Sequence, residues 1–460
     1  MKREVVKPDL DLIHKYDVPA PRYTSYPTAV QFRPVESSGR FSGRLKEMAT
    51  TPRDLSLYFH IPFCFSLCWY CGCTRIITRD GDRGDHYLHY LEKELSLNSG
   101  LIHPDSNVIQ IHFGGGTPTF LSPDQLEKLG EMISRHFRIA PDVEYSVEID
   151  PRSCSPDQVE SLRAIGCNRA SIGVQDTNPE VQKAVHRVQP TDQVRRVVEN
   201  LRSSGIESIN FDLIYGLPRQ TPETFEETLG EIAELGPDRL AVYSYAHLPD
   251  RFPAQKLLKP DELPSTEEKM EMLYLAIDRL GESGYRYIGM DHFARESDPL
   301  SRALDEGTLQ RNFQGYSTRS RADMVAFGMS GISQTSSLYY QNTKELKEYY
   351  ELLDEEVLPV VRYLELTHDD QLRRDLIMQI MCRAEVEFDR FSKKWKIDFK
   401  DYFGDEMERL VELEEDGLVH LDNDHLQPTE KGRLFLRNIA LVFDAHLKKP
   451  DHEARYSRTV

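Results

Sequence analysis

The chain has 460 residues, which is too long for one ordinary hydrophobic core, so two or three structural units are expected. Its net charge is −19, from 57 basic and 76 acidic residues. This balance argues against a nucleic acid as the main partner, because phosphate binding depends on Lys and Arg, while it is compatible with a local basic pocket for a small acidic substrate.

The cysteines and the first residues indicate the compartment. Of 7 cysteines, four lie within residues 64–73, and such an odd, clustered set does not form a disulfide framework. Residues 1–6 lack the apolar core of a signal peptide. The sequence has no run of ~18 apolar residues, so it predicts no membrane-spanning helix. We therefore expect a cytoplasmic protein with no membrane partner.

A cysteine loop directly follows the first predicted strand, residues 57–61. Cys64, Cys68 and Cys71 have C-x3-C-x2-C spacing. One loop with this spacing can supply a thiolate to each of three irons in a [4Fe–4S] cubane, which has four irons. Three protein ligands leave the fourth iron open to a ligand that is not protein.

Zinc is the alternative metal at this loop. Cys73 or His60 could supply a fourth ligand and close a tetrahedral site. Zinc knuckles, however, favour paired C-x2-C units, and a zinc site has no need for the aromatic Tyr70 directly before Cys71. The spacing therefore favours an iron–sulfur cluster.

Short apolar runs alternate with amphipathic helical patterns after the loop. Ser122 and Ser155 each begin a helix with a capping-box glutamine and a first-turn proline. Such a βα series predicts a parallel sheet, either doubly wound or a partial barrel, with ligands at the C-terminal ends of the strands. The six predicted strands are residues 57–61, 108–113, 145–149, 169–175, 208–215 and 240–246.

Polar and small residues mark the ends of the other strands. A glycine run within residues 112–118 follows the second strand, where backbone could approach a ligand closely. Glu148, Gln175, Asp212 and Ala246 lie in or at the ends of the next four. Each could simply cap a helix. Their convergence on the edge that carries the cysteine loop favours a binding site.

The C-terminal part has a different pattern. From about Leu366, helices precede a strand–turn–strand pattern at residues 416–426, which resembles a winged helix. That module raises nucleic-acid binding as a competing function. Asp416, Asp422 and Asp424 in the wing would repel phosphate. We expect a lid packed on the barrel.

The cysteine motif resembles the signature of the radical S-adenosylmethionine (SAM) enzymes, C-x3-C-aromatic-x-C. In that superfamily SAM binds the open iron, and one electron releases a 5′-deoxyadenosyl radical from it. Nearly the whole chain is similar to the branch that decarboxylates porphyrinogens in haem biosynthesis. The matching stretches are residues 21–28, 60–64, 212–218, 245–249, 289–294 and 311–316.

This resemblance implies a partial six-stranded βα barrel, residues 55–365, with an N-terminal extension, residues 1–54, that would act on substrate. Residues 366–460 would form a separate, mostly helical, winged-helix-like domain. The implied reaction converts two propionates of coproporphyrinogen III to vinyl groups without oxygen, giving protoporphyrinogen IX. A reductant such as flavodoxin or ferredoxin would supply electrons to a monomeric enzyme.

The resemblance also implies site residues. Cys64, Cys68 and Cys71 would bind the cluster, and two SAM molecules would bind per chain. Arg187 could pair with a SAM carboxylate, and Glu148 and Asp212 could accept from ammonium or ribose hydroxyl groups. The implied SAM residues are Tyr58, Tyr70, Gly115, Gly116, Thr117, Glu148, Gln175, Arg187, Asp212, Ala246 and Ile332.

Some positions leave alternatives open. His186 stands where the family has Asn, a departure that bears on the loop around Arg187. Cys73 could bind the cluster only by displacing SAM, so we expect it to have a supporting role nearby. A haem chaperone or haem-modifying relative would keep the cluster but usually lacks Cys73 and the segment at residues 21–28. A redox or DNA-responsive sensor is the third alternative.

Overall fold

The computed structural model describes residues 10–36, 40–319, 322–447 and 456–459. Its strands are β1 (Arg33–Pro34), β2 (Asp54–Ile61), β3 (Phe63–Cys64), β4 (Ile76–Ile77), β5 (Asn107–Gly115), β6 (Ile139–Ile149), β7 (Arg169–Gln175), β8 (Ser208–Tyr215), β9 (Arg239–Ser244), β10 (Tyr285–Gly289), β11 (His292–Arg295), β12 (Gln310–Asn312), β13 (Gly315–Ser317), β14 (Asp323–Phe327), β15 (Ile332–Gln334), β16 (Leu338–Asn342), β17 (Val360–Glu365), β18 (Val386–Glu387), β19 (Val419–Leu421) and β20 (His425–Pro428). The helices are α1 (Leu10–Tyr16), α2 (Arg40–Met48), α3 (Asp82–Ser99), α4 (Pro123–His136), α5 (Pro156–Ala164), α6 (Pro179–Ala184), α7 (Thr191–Ser203), α8 (Pro222–Leu235), α9 (Thr266–Glu282), α10 (Pro299–Asp305), α11 (Leu346–Asp354), α12 (His368–Arg383), α13 (Phe388–Trp395), α14 (Phe399–Tyr402), α15 (Gly404–Glu415) and α16 (Leu436–Val442).

A 13-stranded sheet organises the molecule, in the order β1-β17-β16-β15-β14-β2-β5-β6-β7-β8-β9-β11-β10. The six predicted strands are β2 and β5 to β9, and they run parallel. Each lies beside its predecessor in the chain, whereas a doubly wound sheet reverses its strand order at a switch point. The order therefore indicates a singly wound, barrel-like arrangement, and the predicted α/β class is confirmed.

The sheet also differs from the prediction in four ways. Strand β14 adds a seventh parallel strand beside β2, so the parallel part is wider than the predicted six. Strand β6 begins at Ile139, well before the predicted start at residue 145. Strand β9 ends at Ser244, so Ala246 lies in the following loop and not within the strand. Six further strands extend the sheet with antiparallel pairing at its two edges.

Helices cover the outer face of the parallel strands and bury their apolar side chains. Phe59 stacks on Phe327 with ring centroids 5.0 Å apart and meets Phe113 edge-on, which ties three neighbouring strands together. Helices α4 and α5 begin with the predicted capping boxes at Ser122 and Ser155. These contacts hold the C-terminal ends of the strands at fixed positions.

A second hydrophobic cluster joins the N-terminal segment to the C-terminal part. Tyr23 and Tyr26 are 1% and 0% exposed and belong to the same cluster as Leu376 and Phe435. Strands β19 and β20 form the strand pair predicted from the wing pattern, and β18 adds an unpredicted third strand to this small sheet. Among the helices of the described residues, none combines the length and apolar character needed to cross a membrane.

Candidate active site

The cysteine loop is clamped at its base. Strand β3 pairs with β4, and the Ile76 amide donates to the Pro62 carbonyl at 2.7 Å, while that of Thr78 donates to Cys64 at 3.0 Å. These bonds close the loop directly beyond the C-terminal end of β2. A loop with fixed ends therefore carries Cys64, Cys68 and Cys71. It lies at the C-terminal ends of the parallel strands, where the sequence predicts a site.

The loop also contacts the segment around His186. The Trp69 amide donates to the Val185 carbonyl at 3.0 Å, and the indole stacks on the His186 ring at 5.3 Å. His186 Nδ1 donates to the Leu67 carbonyl at 2.8 Å. Its φ is +55°, a region that Asn, Asp and His tolerate better than most residues. Histidine can therefore replace the expected asparagine and still position Arg187.

One cavity of about 290 Å³ collects most of the predicted site residues. The predicted residues lining it are Cys64, Cys68, Tyr70, Cys71, Gly115, Gly116, Thr117, Glu148, Gln175, Arg187 and Asp212. Three predicted residues lie outside this lining. Tyr58 stacks on His112 at 5.8 Å, Ala246 accepts from the Gln255 amide that also binds the Tyr70 carbonyl, and Ile332 packs on the cluster of Phe32, Tyr339 and Leu366.

Cationic and hydroxyl donors lie beside two of the three thiols. Arg187 Nη1 lies 3.4 Å from Cys68 Sγ, and Arg152 Nη2 lies 3.5 Å from the same sulfur. Thr117 donates to Cys64 Sγ at 3.4 Å. Such donors stabilise thiolates, which are the form that binds metal. The electrostatic surroundings of the loop therefore favour thiolates that bind a metal.

The thiols differ in acidity. Burial raises the pKa of the Cys64 thiol to about 11. A hydrogen bond from Cys73, together with the charges of Arg75 and Arg187, lowers the pKa of the Cys71 thiol to about 6. A supporting role for Cys73, through its contact with Cys71, stays a prediction.

The geometry fits a cluster better than one zinc ion. Both His60 ring nitrogens are engaged, with the Tyr58 hydroxyl at 3.2 Å and the Thr74 carbonyl at 2.9 Å, so His60 is not available as a fourth ligand. Within the described residues, three or more potential ligand atoms come close enough to share one ion only at Glu385, Glu387 and His425, far along the chain. Within the same residues the three loop thiols do not form such a group, whereas a tetrahedral zinc site needs its ligand atoms close together.

The glycine run packs too tightly for side chains. A Cβ on Gly115, whose φ is +112°, would lie 2.6 Å from the His60 ring. A Cβ on Gly116 would lie 2.7 Å from the Pro62 backbone. The run therefore lines the cavity with backbone that no side chain covers. The Gly115 amide donates to Glu148, and the Gly116 amide donates to the Ile61 carbonyl.

Two carboxylates face the cavity with different acidities. Glu148 accepts from His112 Nε2 at 3.2 Å and from the Gly115 amide at 3.2 Å, and these bonds outweigh burial and lower its pKa. Asp212 accepts from Ser171 at 2.8 Å and from Asn210 at 3.0 Å. Burial, reinforced by the charge of Glu148, raises the pKa of Asp212 to about 6.

The comparisons with known proteins agree with this geometry. Residues 58–232 match the model of the Radical SAM superfamily, and residues 366–435 match the HemN C-terminal domain. Oxygen-independent coproporphyrinogen III oxidase of Escherichia coli (strain K12) is 45% identical over 453 residues, 98% of each chain. The chain belongs to the oxygen-independent coproporphyrinogen III oxidase family. The homologous oxidase of Pseudomonas aeruginosa is 44% identical over 99% of this chain and 100% of its own length.

A solved structure of this oxidase family has the same fold. The structure described as coproporphyrinogen III oxidase (HemN) from Escherichia coli, a radical SAM enzyme, aligns with a TM-score of 0.91 and 44% identity, over 96% of this chain and 100% of that chain. The family and fold implied by the motifs are therefore confirmed.

Sequence reasoning missed several residues of the oxidase cavity, among them Asp150, Arg152 and Tyr243. Asp150 accepts from Arg152 at 2.6 Å and from Arg187 at 3.2 Å, and so organises both cations beside Cys68. Asp150 follows the last residue of β6. The search for polar residues at strand ends, which selected Glu148, could therefore have found it. Tyr243 lines this cavity and also a deeper one of about 160 Å³ between the same strands.

Proposed function

We propose that this chain converts coproporphyrinogen III to protoporphyrinogen IX by oxygen-independent decarboxylation of two propionates. The observation that carries the proposal is the single cavity in which three loop thiols meet Glu148, Arg187 and Asp212. Cys64, Cys68 and Cys71 would hold one [4Fe–4S] cluster. When bound, the cluster and SAM supply a 5′-deoxyadenosyl radical that abstracts a hydrogen atom from a propionate β-carbon.

The cavity offers complementary groups for two SAM molecules. Gly115, Gly116 and Thr117 line it beside the cysteine loop. Glu148 and Asp212 would neutralise ammonium or sulfonium charge, while Arg187 would balance a carboxylate. The implied roles of the remaining residues, Tyr58, Tyr70, Gln175, Ala246 and Ile332, belong to the same proposal.

The proposal includes the setting of the enzyme. We propose a cytoplasmic monomer reduced by flavodoxin or ferredoxin, with a barrel at residues 55–365 between the extension at 1–54 and the domain at 366–460. The shared hydrophobic cluster of Tyr23, Tyr26, Leu376 and Phe435 supports a C-terminal domain that packs as a lid.

Product analysis tests the reaction. Reconstituted protein, incubated anaerobically with SAM, reductant and coproporphyrinogen III, should release two CO2, two methionines and two 5′-deoxyadenosines per protoporphyrinogen IX. Mass spectrometry and chromatography would measure these ratios. Tight haem binding with no decarboxylation would instead support the haem-chaperone alternative.

SAM affinity should depend on the ionisation of Asp212. Its pKa of about 6 is raised above the ordinary value, so the carboxylate is charged above this pH and neutral below it. A cationic ligand is attracted to the charged form, and SAM binding should weaken as the pH falls from 7 to 5. Asp212→Asn should weaken binding about tenfold at pH 7.5 and remove most of this pH dependence.

Equilibrium dialysis under anaerobic conditions measures this effect. Asp176 is a matched control, because burial also raises its pKa to about 6 while its partners Gln220 and Thr228 lie outside the cavity lining. Asp176→Asn should retain the SAM affinity. Unchanged affinity and pH profile in Asp212→Asn would contradict the assignment.

A further inference from the structure

A cationic cluster lies at the rim of the barrel in this strongly acidic chain. Lys269 lies within electrostatic reach of Arg22, Arg437 and Arg458, and the carboxylate of Asp17 opposes their effect on it. Arg22 lies in the N-terminal segment, Lys269 lies in helix α9 and Arg437 lies in helix α16. Arg458 lies outside these elements. We refer to Arg22, Lys269, Arg437 and Arg458 as the cationic rim.

Most charges of the cationic rim have partners. Arg458 pairs with Asp17, and Arg22 Nη1 pairs with Asp291 at 2.9 Å. Arg437 donates to the carbonyls of Ala20, Pro21, Ser457 and Arg458. Throughout the described part of the chain, no hydrogen bond or ion pair is found for the Lys269 ammonium. The rim therefore has surplus positive charge centred on Lys269.

Packing fixes the Lys269 side chain at the end of a barrel strand. Gly216 follows β8 with a φ of +86°, and a Cβ there would lie 3.1 Å from Lys269 Cε and 3.2 Å from Cδ. The aliphatic stem thus covers this turn at the C-terminal end of the strand. Burial, with the charges of Arg22, Arg458 and Arg437, lowers the pKa of Lys269. An anion at this position would remove that penalty.

Arg22 connects the cationic rim to the cavity. Its guanidinium lies 5.8 Å from the centroid of the Tyr243 ring, and Tyr243 lines the cavity that holds the three thiols. The Arg22 side chain is 30% exposed, so its guanidinium nitrogens other than Nη1 can donate a hydrogen bond to a further acceptor. Strands β8 and β9 are neighbours, with Tyr215 opposite Ser244, so Lys269 and Arg22 stand over the same pair of strand ends.

We propose that Lys269 and Arg22 form a carboxylate-binding site that holds one propionate of the porphyrinogen at the mouth of the cavity. The inference rests on the proposed function, since coproporphyrinogen III carries four propionates. Two of these survive in the product, so a cation bound to a surviving carboxylate can hold the macrocycle through both decarboxylations. Local cations are also needed to attract a tetra-anion to a chain with a net charge of −19.

Lys269→Met tests the site, because methionine keeps an unbranched apolar stem over Gly216 and removes the charge. We expect KM for coproporphyrinogen III to rise about tenfold to a hundredfold, with a smaller change in kcat. Fluorescence titration with coproporphyrin III, a stable oxidised form, should show the same loss of affinity and a weaker dependence on NaCl. Iron content and SAM affinity should not change.

Two further variants sharpen the test. Lys269→Arg should restore most of the affinity, since it restores the charge. If Lys269 and Arg22 hold the same carboxylate, the effects of Lys269→Met and Arg22→Met should not add in the double variant. Lys347→Met is the control for loss of a lysine, because Lys347 is 89% exposed on helix α11, and it should leave KM unchanged.

The outcomes separate the anchor from the reaction. If the unmodified protein converts coproporphyrinogen III and Lys269→Met keeps its KM, porphyrin affinity and salt dependence within twofold, the carboxylate site is wrong. If the unmodified protein does not convert coproporphyrinogen III, the proposed function is wrong whatever the variant does.

Discussion

Replacing Cys64, Cys68 or Cys71 with serine should remove the cluster and all decarboxylation. Each thiol comes from the same clamped loop, and a three-ligand site has no spare sulfur to compensate for a lost one. The unmodified protein, reconstituted anaerobically, should contain about four irons and four sulfides, with a spectral change when SAM is added. Iron and sulfide assays with electron paramagnetic resonance measure this result.

Cys73→Ser is the control for the cysteine variants. Cys73 is exposed and interacts with Cys71, so its loss should alter the environment of that ligand and leave the cluster largely in place. Stoichiometric zinc without iron, after anaerobic purification, would contradict the cluster assignment. So would loss of iron in Cys73→Ser equal to that in the other three variants.

Arg437→Met should detach the N-terminal segment from its binding surface. The guanidinium is buried and binds four backbone carbonyls, and unsatisfied buried acceptors each cost about 1–3 kcal/mol. We expect a loss of about 3–5 kcal/mol in the free energy of unfolding. Because the segment carries Arg22, decarboxylation should fall sharply while the cluster and SAM binding persist.

Thermal unfolding, limited proteolysis of the N-terminal segment and product assays measure these effects. This variant tests the segment more cleanly than deletion of residues 1–35, which would remove the buried Tyr23 and Tyr26 from the second hydrophobic cluster. Arg409→Met is the control, since Arg409 binds a single carbonyl of α16, that of Val442 at 2.8 Å. Equal stability of the Arg437 and Arg409 variants would refute the anchoring role.

The sequence was sufficient for the six central strands, because buried parallel strands appear as short apolar runs between capped helices. It did not predict β14, since that strand joins β2 by long-range pairing and no helical pattern of clear length precedes it. The early part of β6 was also missed. Residues 139–144 are partly exposed and do not show the apolar run on which the prediction relied.

The residues of the candidate site were likewise predicted only in part from the sequence. Cys64, Glu148 and Asp212 could be predicted because each lies in or after a parallel strand, and parallel topology brings the strand ends together. Lys269 could not be found in this way, because it lies in the first turn of a helix. Its role depends on Arg22, which is far from it in the chain and reaches it only through tertiary packing.

The contact between the two ends of the described chain has a consequence for biogenesis. Ala20 donates to the Ser457 carbonyl at 3.1 Å, and Thr459 donates to the Val18 carbonyl at 2.9 Å. During translation, the segment that carries Arg22 therefore emerges before residues 457–459 and must wait for them before it can form these bonds. Until then Tyr243, which lines the cavity of the three thiols, lacks the Arg22 guanidinium that lies over its ring.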